Sequence, residues 1–320
     1  MHVHLDTDIG SDMDDLAALV MLLGATDVEL TGITTSVDPG GRRAGYVRHV
    51  LGLAGREDVP VAAGAEVSST TLAMPGGFPD DERRWPEPPP PAPSPAGAAA
   101  RLLDGSIAAG ATVVVIGPCT NLGLLGVEQP DVLAGAEVVL MGGWFELPRA
   151  GLPPSGPEQD WNVQCDTSAA TVVLRQAGAL TIVPLPLTYR VHLRGAHLER
   201  LRGAGSLGRL LAFQGEHQGA EERNGELGLA HPALPDDLLN FQHDPLACAA
   251  ALRWPCITLE DRRVSPVPAG ALLRFVDDDD GRSVRVGIDV DADEFAEAWL
   301  AAVEAAGSAA RVRPSPARTR

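Results

Sequence analysis

Five aspartates, Asp6, Asp8, Asp12, Asp14 and Asp15, fall within ten residues in the segment LDTDIGSDMDDLAALVMLL. A short apolar stretch, residues 3–5, precedes them and an amphipathic helical pattern follows. That order reads as a strand, a tight loop and a helix start. Carboxylates packed this closely at a strand end repel one another unless a cation sits among them. A hard divalent ion with oxygen ligands suits such a site. Helix-end chemistry accounts for three of the five: Asp12 as the residue before the helix, and Asp14 and Asp15 at the positive end of its dipole. It leaves Asp6 and Asp8, which terminate a strand that should be buried.

Three other segments carry polar groups in suggestive places. Gly117-Pro118-Cys119-Thr120-Asn121 follows the apolar run TVVVI, and a turn at a strand's carboxyl end can offer a backbone carbonyl to a cation. The same five residues also make a good helix start. Gly142-Gly143 follows EVVLM and leads to Asp160-Trp161-Asn162 and Asp166; Asp160 and Asn162 can hydrogen-bond hydroxyl groups, while Asp166 is placed to cap a helix from Thr167. His243-Asp244-Pro245 opens the apolar run LACAAAL. Asp244 is either a helix cap or a metal ligand, with His243 as a neighbouring proton donor.

Composition narrows the chemistry. The 320 residues are 45% hydrophobic, enough for one large core or at most two domains. A net charge of −18 argues against a nucleic-acid partner. All 25 basic residues are arginine, which excludes Schiff-base and phosphate-loop lysine mechanisms. Cys119, Cys165, Cys248 and Cys256 form no CxxC pair and read as reduced thiols of a cytoplasmic protein. No signal peptide or membrane-spanning apolar run is visible, so no membrane partner is expected.

Elements that would position these groups alternate along the chain. Strands are expected at 28–36, 59–63, 112–116, 137–141 and 180–185. Helices are expected at 41–55, 96–109, 121–128 and 167–177. The continuous apolar runs TVVVI and EVVLM suit parallel strands covered on both faces. The fold class is therefore α/β: a single domain, residues 1–307, with a mostly parallel central sheet flanked by helices. Residues 86–95 (PEPPPPAPSP) read as an extended, solvated loop inside that domain. Residues 215–240, rich in Gly, Pro and charge, read as a long loop. Late strands are expected over 262–290 with residues 277–281 as a solvated hairpin turn, and 308–320 reads as a disordered tail.

The segments DTDIGSDMDD, GITTS with GRRAGYVRHVLGLAGREDVPVAAGA, VVVIGPCTNL, VVLMGG, DWNVQCDTSAA and HDPLA occur in an order that resembles the inosine–uridine-preferring nucleoside hydrolase family, over roughly residues 3–305. The resemblance implies a Rossmann-related domain that hydrolyses the N-glycosidic bond of a ribonucleoside, with a Ca²⁺ at the floor of the pocket. It implies that Asp8 is a metal-bound aspartate that activates water, with Asp15, Asp244 and the Thr120 carbonyl as further ligands. Asp14 corresponds to the aspartate that grips the ribose, and Asp12 can share that role, because this chain has two extra residues in the signature. Asn162 matches the ribose-binding asparagine, Asp160 stands where many members have Glu, and His243 matches a histidine that assists base departure. A small nucleoside or N-ribosyl substrate and a homodimer or homotetramer are also implied.

The chain departs from the family pattern in three places. No Asn follows the Gly-Gly turn between 144 and 157, Leu185-Pro186-Leu187-Thr188 replaces LDVT, and Gly76-Gly77 stands where an HG element is usual. These changes fall on the base and 5′ sides and leave the substrate open, down to a catalytically silent metal- and ribosyl-binding relative. A dehalogenase-like phosphatase is disfavoured by the absence of lysine. An EF-hand is disfavoured by Ser11 and Ala17 at the positions that need Gly and Glu.

Overall fold

The computed structural model describes residues 1–71 and 84–312. The chain runs through β1 (His2–Thr7), α1 (Asp14–Gly24), β2 (Glu29–Thr35), α2 (Arg42–Ala54), β3 (Val61–Ala63), α3 (Ala98–Ala108), β4 (Thr112–Val115), α4 (Thr120–Glu128), α5 (Pro130–Ala134) and β5 (Glu137–Met141). It continues through α6 (Trp161–Cys165), α7 (Thr167–Gln176), β6 (Ala179–Val183), α8 (Leu185–Thr188), β7 (His192–Arg194), α9 (Leu198–Gly203), α10 (Gly205–Glu221), α11 (Asn224–Ala230), β8 (Leu238–Phe241) and α12 (His243–Ala251). The strands β9 (Ile257–Ala269), β10 (Leu272–Asp277) and β11 (Arg282–Val290) and the helix α13 (Ala292–Val312) complete it.

Nine strands form one sheet in the order β10-β9-β11-β6-β5-β4-β1-β2-β3. From β3 to β11 every pairing is parallel, and only β9 runs antiparallel to its neighbours. Alternation along the central strands explains the double covering. Val114 and Val139 join the core that α1, α12 and α13 close, whereas Val113, Val115, Val138 and Leu140 join the core under α4 and α7. Each fully buried aliphatic side chain contributes roughly 1.5–3 kcal/mol, so the middle of the sheet is its firmest part.

On β1 the second face is polar and largely hydrogen-bonded, with Asp6 Oδ1 left without a partner among the described residues. His4 bonds Ser106 through Nδ1 and Thr34 through Nε2, both at 2.9 Å. The Thr34 hydroxyl donates in turn to Asp6 Oδ2, which also accepts from Asn121 Nδ2 at 2.8 Å. Burial lowers the His4 pKa to about 3, which keeps this ring neutral. Asp6 thus has a structural partner set.

The first and last helices press together. Trp299 Nε1 donates to the Ala17 carbonyl at 3.3 Å, and a Cβ on Gly24 would fall 1.8 Å from the Ala302 carbonyl oxygen. Only glycine permits that backbone approach.

Most expected strands and helices form within a few residues of their expected bounds. Residues 86–95 take neither helix nor strand and are mostly exposed. The segment is seated on α2, where Cβ atoms on Gly41 and Gly45 would collide with Pro93 and Pro90. Trp85 anchors its start by stacking on Tyr46 at 4.3 Å. Three readings are corrected. Residues 215–240 are not a long loop: α10 runs to Glu221, and α11 and β8 follow. The hairpin reversal lies between β9 and β10, where Ala269 pairs with Leu272 and Gly270 adopts φ 68°, and not at 277–281. The final helix continues to Val312, so residues 308–312 are helical. Gly76-Gly77 lies outside the described residues.

Candidate active site

Strand order reverses between β1 and β4: the chain proceeds from β1 to β2 and β3 on one side, and from β4 to β5 and β6 on the other. Ligands of open α/β sheets bind at such a switch point, beyond the carboxyl ends of the strands. Asp6 pairs with Val115, and the same register carried two residues onward sets Asp8 beside Gly117. A Cβ on Gly117 would lie 2.7 Å from Asp8 Oδ1, so a glycine is required here. Above these strand ends opens a cleft of about 510 Å³. Asp8, Asp12, Asp14, Asp15, Asp160, Asn162, His243 and Asp244 all line it.

At its floor, Asp14, Asp15 and Asp244 each place a carboxylate oxygen within 4.8 Å of the others. All three are buried. Burial first, and then the neighbouring carboxylates, push their pKa values well above the usual range. Three buried like charges at this spacing are costly when ionised, and an oxygen-seeking divalent cation relieves that cost. Two helix starts converge on the group. The Thr7 hydroxyl donates to Asp15 Oδ1, and the Asp244 backbone N–H donates to Asp14 Oδ2 at 3.4 Å. Asp244 is thus not a cap for its own helix; it lies in the first turn of α12, whose free N–H is taken by Asp14 from α1.

Asp8 borders this group without joining its tight cluster. Its Oδ2 accepts from Trp161 Nε1 at 3.1 Å, and its backbone carbonyl accepts from Arg43 Nη1. Burial raises its pKa, against the opposing influence of the Arg43 charge and the Trp161 bond. Asp12 accepts from Asn240 Nδ2 at 2.7 Å and from the Asp14 N–H at 3.3 Å. The Met13 N–H donates to Gln218 Oε1 at 3.0 Å, so α10 holds the aspartate loop from the side.

On the opposite wall, Asp160 precedes α6 and accepts from the N–H groups of Gly143 at 2.5 Å and Val163 at 3.2 Å. Burial still raises its pKa to about 6. Asn162 Nδ2 donates to the carbonyls of Ile116 and Met141 at 3.0 and 3.1 Å. Asp166 caps α7 through the Ala169 N–H, as its position in the sequence indicated.

His243 packs among Tyr189 and Phe241, with Nδ1 2.6 Å from Thr188 Oγ1. That hydroxyl gives its only proton to the Leu185 carbonyl at 2.8 Å, so the imidazole donates from Nδ1 and carries a lone pair on Nε2. Burial lowers its pKa to about 4 despite the nearby Asp12 charge. The ring is therefore neutral near pH 7 in the ion-free protein.

The structure gives two of the residues assigned from sequence distinct surroundings. Thr120 does not line the cleft: it opens α4 and its hydroxyl donates to Asp166 at 2.8 Å. The residue after β4 that does line the cleft is Ile116. Asp14, expected to grip the sugar, stands with Asp15 and Asp244 in the carboxylate cluster, and Asp8 lines the same cleft beside them. Arg43 and Trp161 went unassigned in the sequence. Trp161 is flanked by two assigned residues, and only its polar ring nitrogen hinted at a role. Arg43 begins a helix like any surface arginine, and nothing local marks it as buried.

Residues 3–297 match the family profile described as inosine-uridine preferring nucleoside hydrolase. The chain is 27% identical over 211 residues to an uncharacterised protein of Schizosaccharomyces pombe, covering 63% of this chain and 66% of that one. It is 28% identical over 278 residues to the pyrimidine-specific ribonucleoside hydrolase RihA of Salmonella agona, covering 81% of this chain and 82% of that one. The solved structure of the purine-preferring ribonucleoside hydrolase from Gardnerella vaginalis superposes with a TM-score of 0.77 at 21% identity, covering 98% of this chain and 100% of that one.

Proposed function

Because the chain belongs to the inosine–uridine preferring nucleoside hydrolase family, we propose that it hydrolyses the N-glycosidic bond of a ribonucleoside or a related N-ribosyl compound with the help of Ca²⁺. The observation that carries this reading is the convergence of Asp14, Asp15 and Asp244, 230 residues apart at its widest by numbering, within 4.8 Å on the cleft floor. Their donors are all carboxylate oxygens, the chemistry that a hard cation takes. Asp14, Asp15 and Asp244 would hold the ion, with Asp8 and the end of β4 at Ile116 bordering it. When bound, Ca²⁺ supplies a Lewis-acidic anchor for a water and for vicinal ribose hydroxyls.

The protein's own groups do the rest. Cleavage of a ribosyl C–N bond builds positive charge on the sugar, and the ring of carboxylates around the cleft favours that charge. Asp8 accepts the proton of the attacking water, a contribution of roughly 10²–10⁴-fold. Asn162 is braced by two carbonyls and Asp160 by two backbone N–H groups, and both present the sugar-facing wall without needing to reorganise. His243 meets the leaving base as a neutral imidazole held by Thr188. A cytoplasmic location and a homodimeric or homotetrameric assembly belong to the same proposal, carried by the family resemblance and by four buried free thiols.

The test is release of ribose from a panel of purine and pyrimidine nucleosides, in chelator and after Ca²⁺ is restored. The reading requires sugar to appear only with the ion. Saturable ligand binding without sugar release would instead assign the chain to silent, ligand-binding relatives.

A further inference from the structure

We propose that Trp161 is a positioning residue that fixes the rotation of the Asp8 carboxylate through its indole N–H; this rests on the role of Asp8 as base. Asp8 is held from three elements. Arg43 of α2 binds its backbone carbonyl, Gly117 after β4 packs against Oδ1, and Trp161 of α6 donates to Oδ2 at 3.1 Å. The first fixes the main chain and the second sets only a steric wall. Trp161 supplies a side-chain hydrogen bond to the carboxylate, beside the charge of Arg43 and the backbone N–H of Asp8 itself.

The indole is itself presented rigidly. It is the first residue of α6, and each neighbour is tied down: Asp160 by the Gly143 and Val163 N–H groups, Asn162 by the Ile116 and Met141 carbonyls. Yet Trp161 remains 46% exposed. Core packing therefore does not account for a large aromatic at this place. A carboxylate that spends one oxygen on a fixed donor keeps the other at a defined angle for the water it must deprotonate. A freely turning carboxylate satisfies that geometry only part of the time.

Trp161→Phe keeps the ring and removes the donor. With the variant folded, kcat for ribose release is expected to fall about 10-fold while KM stays within twofold. A kcat within twofold of the parent, or a loss confined to KM, overturns the proposal, the latter marking the ring as a substrate contact only. A second measurement needs no turnover. The chain has five tryptophans, and the ¹⁵N indole signal missing in Trp161→Phe identifies the one concerned. That signal is expected to shift in Asp8→Ala, and an unmoved signal overturns the bond. If no nucleoside is cleaved but the signal moves, the hydrolase reading falls and the bond stands, so the two failures are distinguishable.

Discussion

Residues 6–15 and residues 277–280 are both acidic runs, with five and four aspartates, and the fold treats them oppositely. The first is drawn to the switch point of the sheet, largely buried, and met by Asp244 from far along the chain. The second stays at the surface beside β9. Asp278 accepts from the Ser265 hydroxyl at 2.5 Å and the Asp280 N–H at 3.1 Å, which hold its pKa below the usual carboxylate value. Arg262 lies 3.4 Å from Asp277, and Arg263 donates to the Asp279 carbonyl. One run is met by local donors and arginine at the surface; the other is buried, where a divalent cation would relieve its mutual repulsion. Acidity along the chain is common to both, and burial against a distant partner is what separates them.

That contrast breaks first at Asp8. Asp8→Asn is expected to lower ribose release at least ~100-fold with folding intact, whereas Asp278→Asn leaves it unchanged; comparable rates in the two variants would erase the distinction. Next in size is cation binding. Asp244→Asn should weaken Ca²⁺ at least about 10-fold by calorimetry, and Asp279→Asn less than twofold.

The pH dependence sharpens the same point. The Asp14, Asp15 and Asp244 pKa values are raised in the folded, ion-free protein, so the fold binds their protons more tightly than the unfolded chain does. The stability they confer in protonated form is full below about pH 4, the unfolded carboxylate value, and is lost as pH rises through the raised values. Ca²⁺ relieves that loss, so the rise in Tm that it produces should be larger at pH 8 than at pH 5 in differential scanning calorimetry. An equal or smaller rise at pH 8 would place the ion elsewhere.

Smallest is the expected effect of Thr120→Ala, which removes one hydrogen bond to Asp166 and should cost about 1 kcal/mol in denaturant unfolding without changing Ca²⁺ affinity. A matching loss of affinity would restore Thr120 to the site.

The strands and the acidic signature were readable because they are local. Continuous apolar runs such as TVVVI specify strands covered on both faces, and Asp6 to Asp15 announce themselves by spacing. Residues 215–240 were opaque for the opposite reason. Gly215, Gly219 and Gly228 look like loop formers, but Cβ atoms on them would meet Leu193, Leu239 and Pro235 at 2.6, 3.0 and 2.1 Å. These glycines let helices close on β7 and β8 and on the Pro235 backbone, a contact visible only once the partners are in place. Thr120 misled because its neighbours name the turn without saying which residue faces the cleft.

The seam between α1 and α13 bears on how this enzyme is made. Asp14 and Asp15 open a helix whose packing surface is completed by Trp299 and Ala302. A ribosome that has finished 250 residues has already supplied every carboxylate of the cluster, but not the helix against which α1 rests. Translation proceeds at roughly 5–20 residues per second, so the nascent chain spends several seconds with its acidic floor unsupported. Catalytic competence would wait on the emergence of α13, and a chain truncated before residue 299 would carry every carboxylate of the cluster and lack a stable cradle for them.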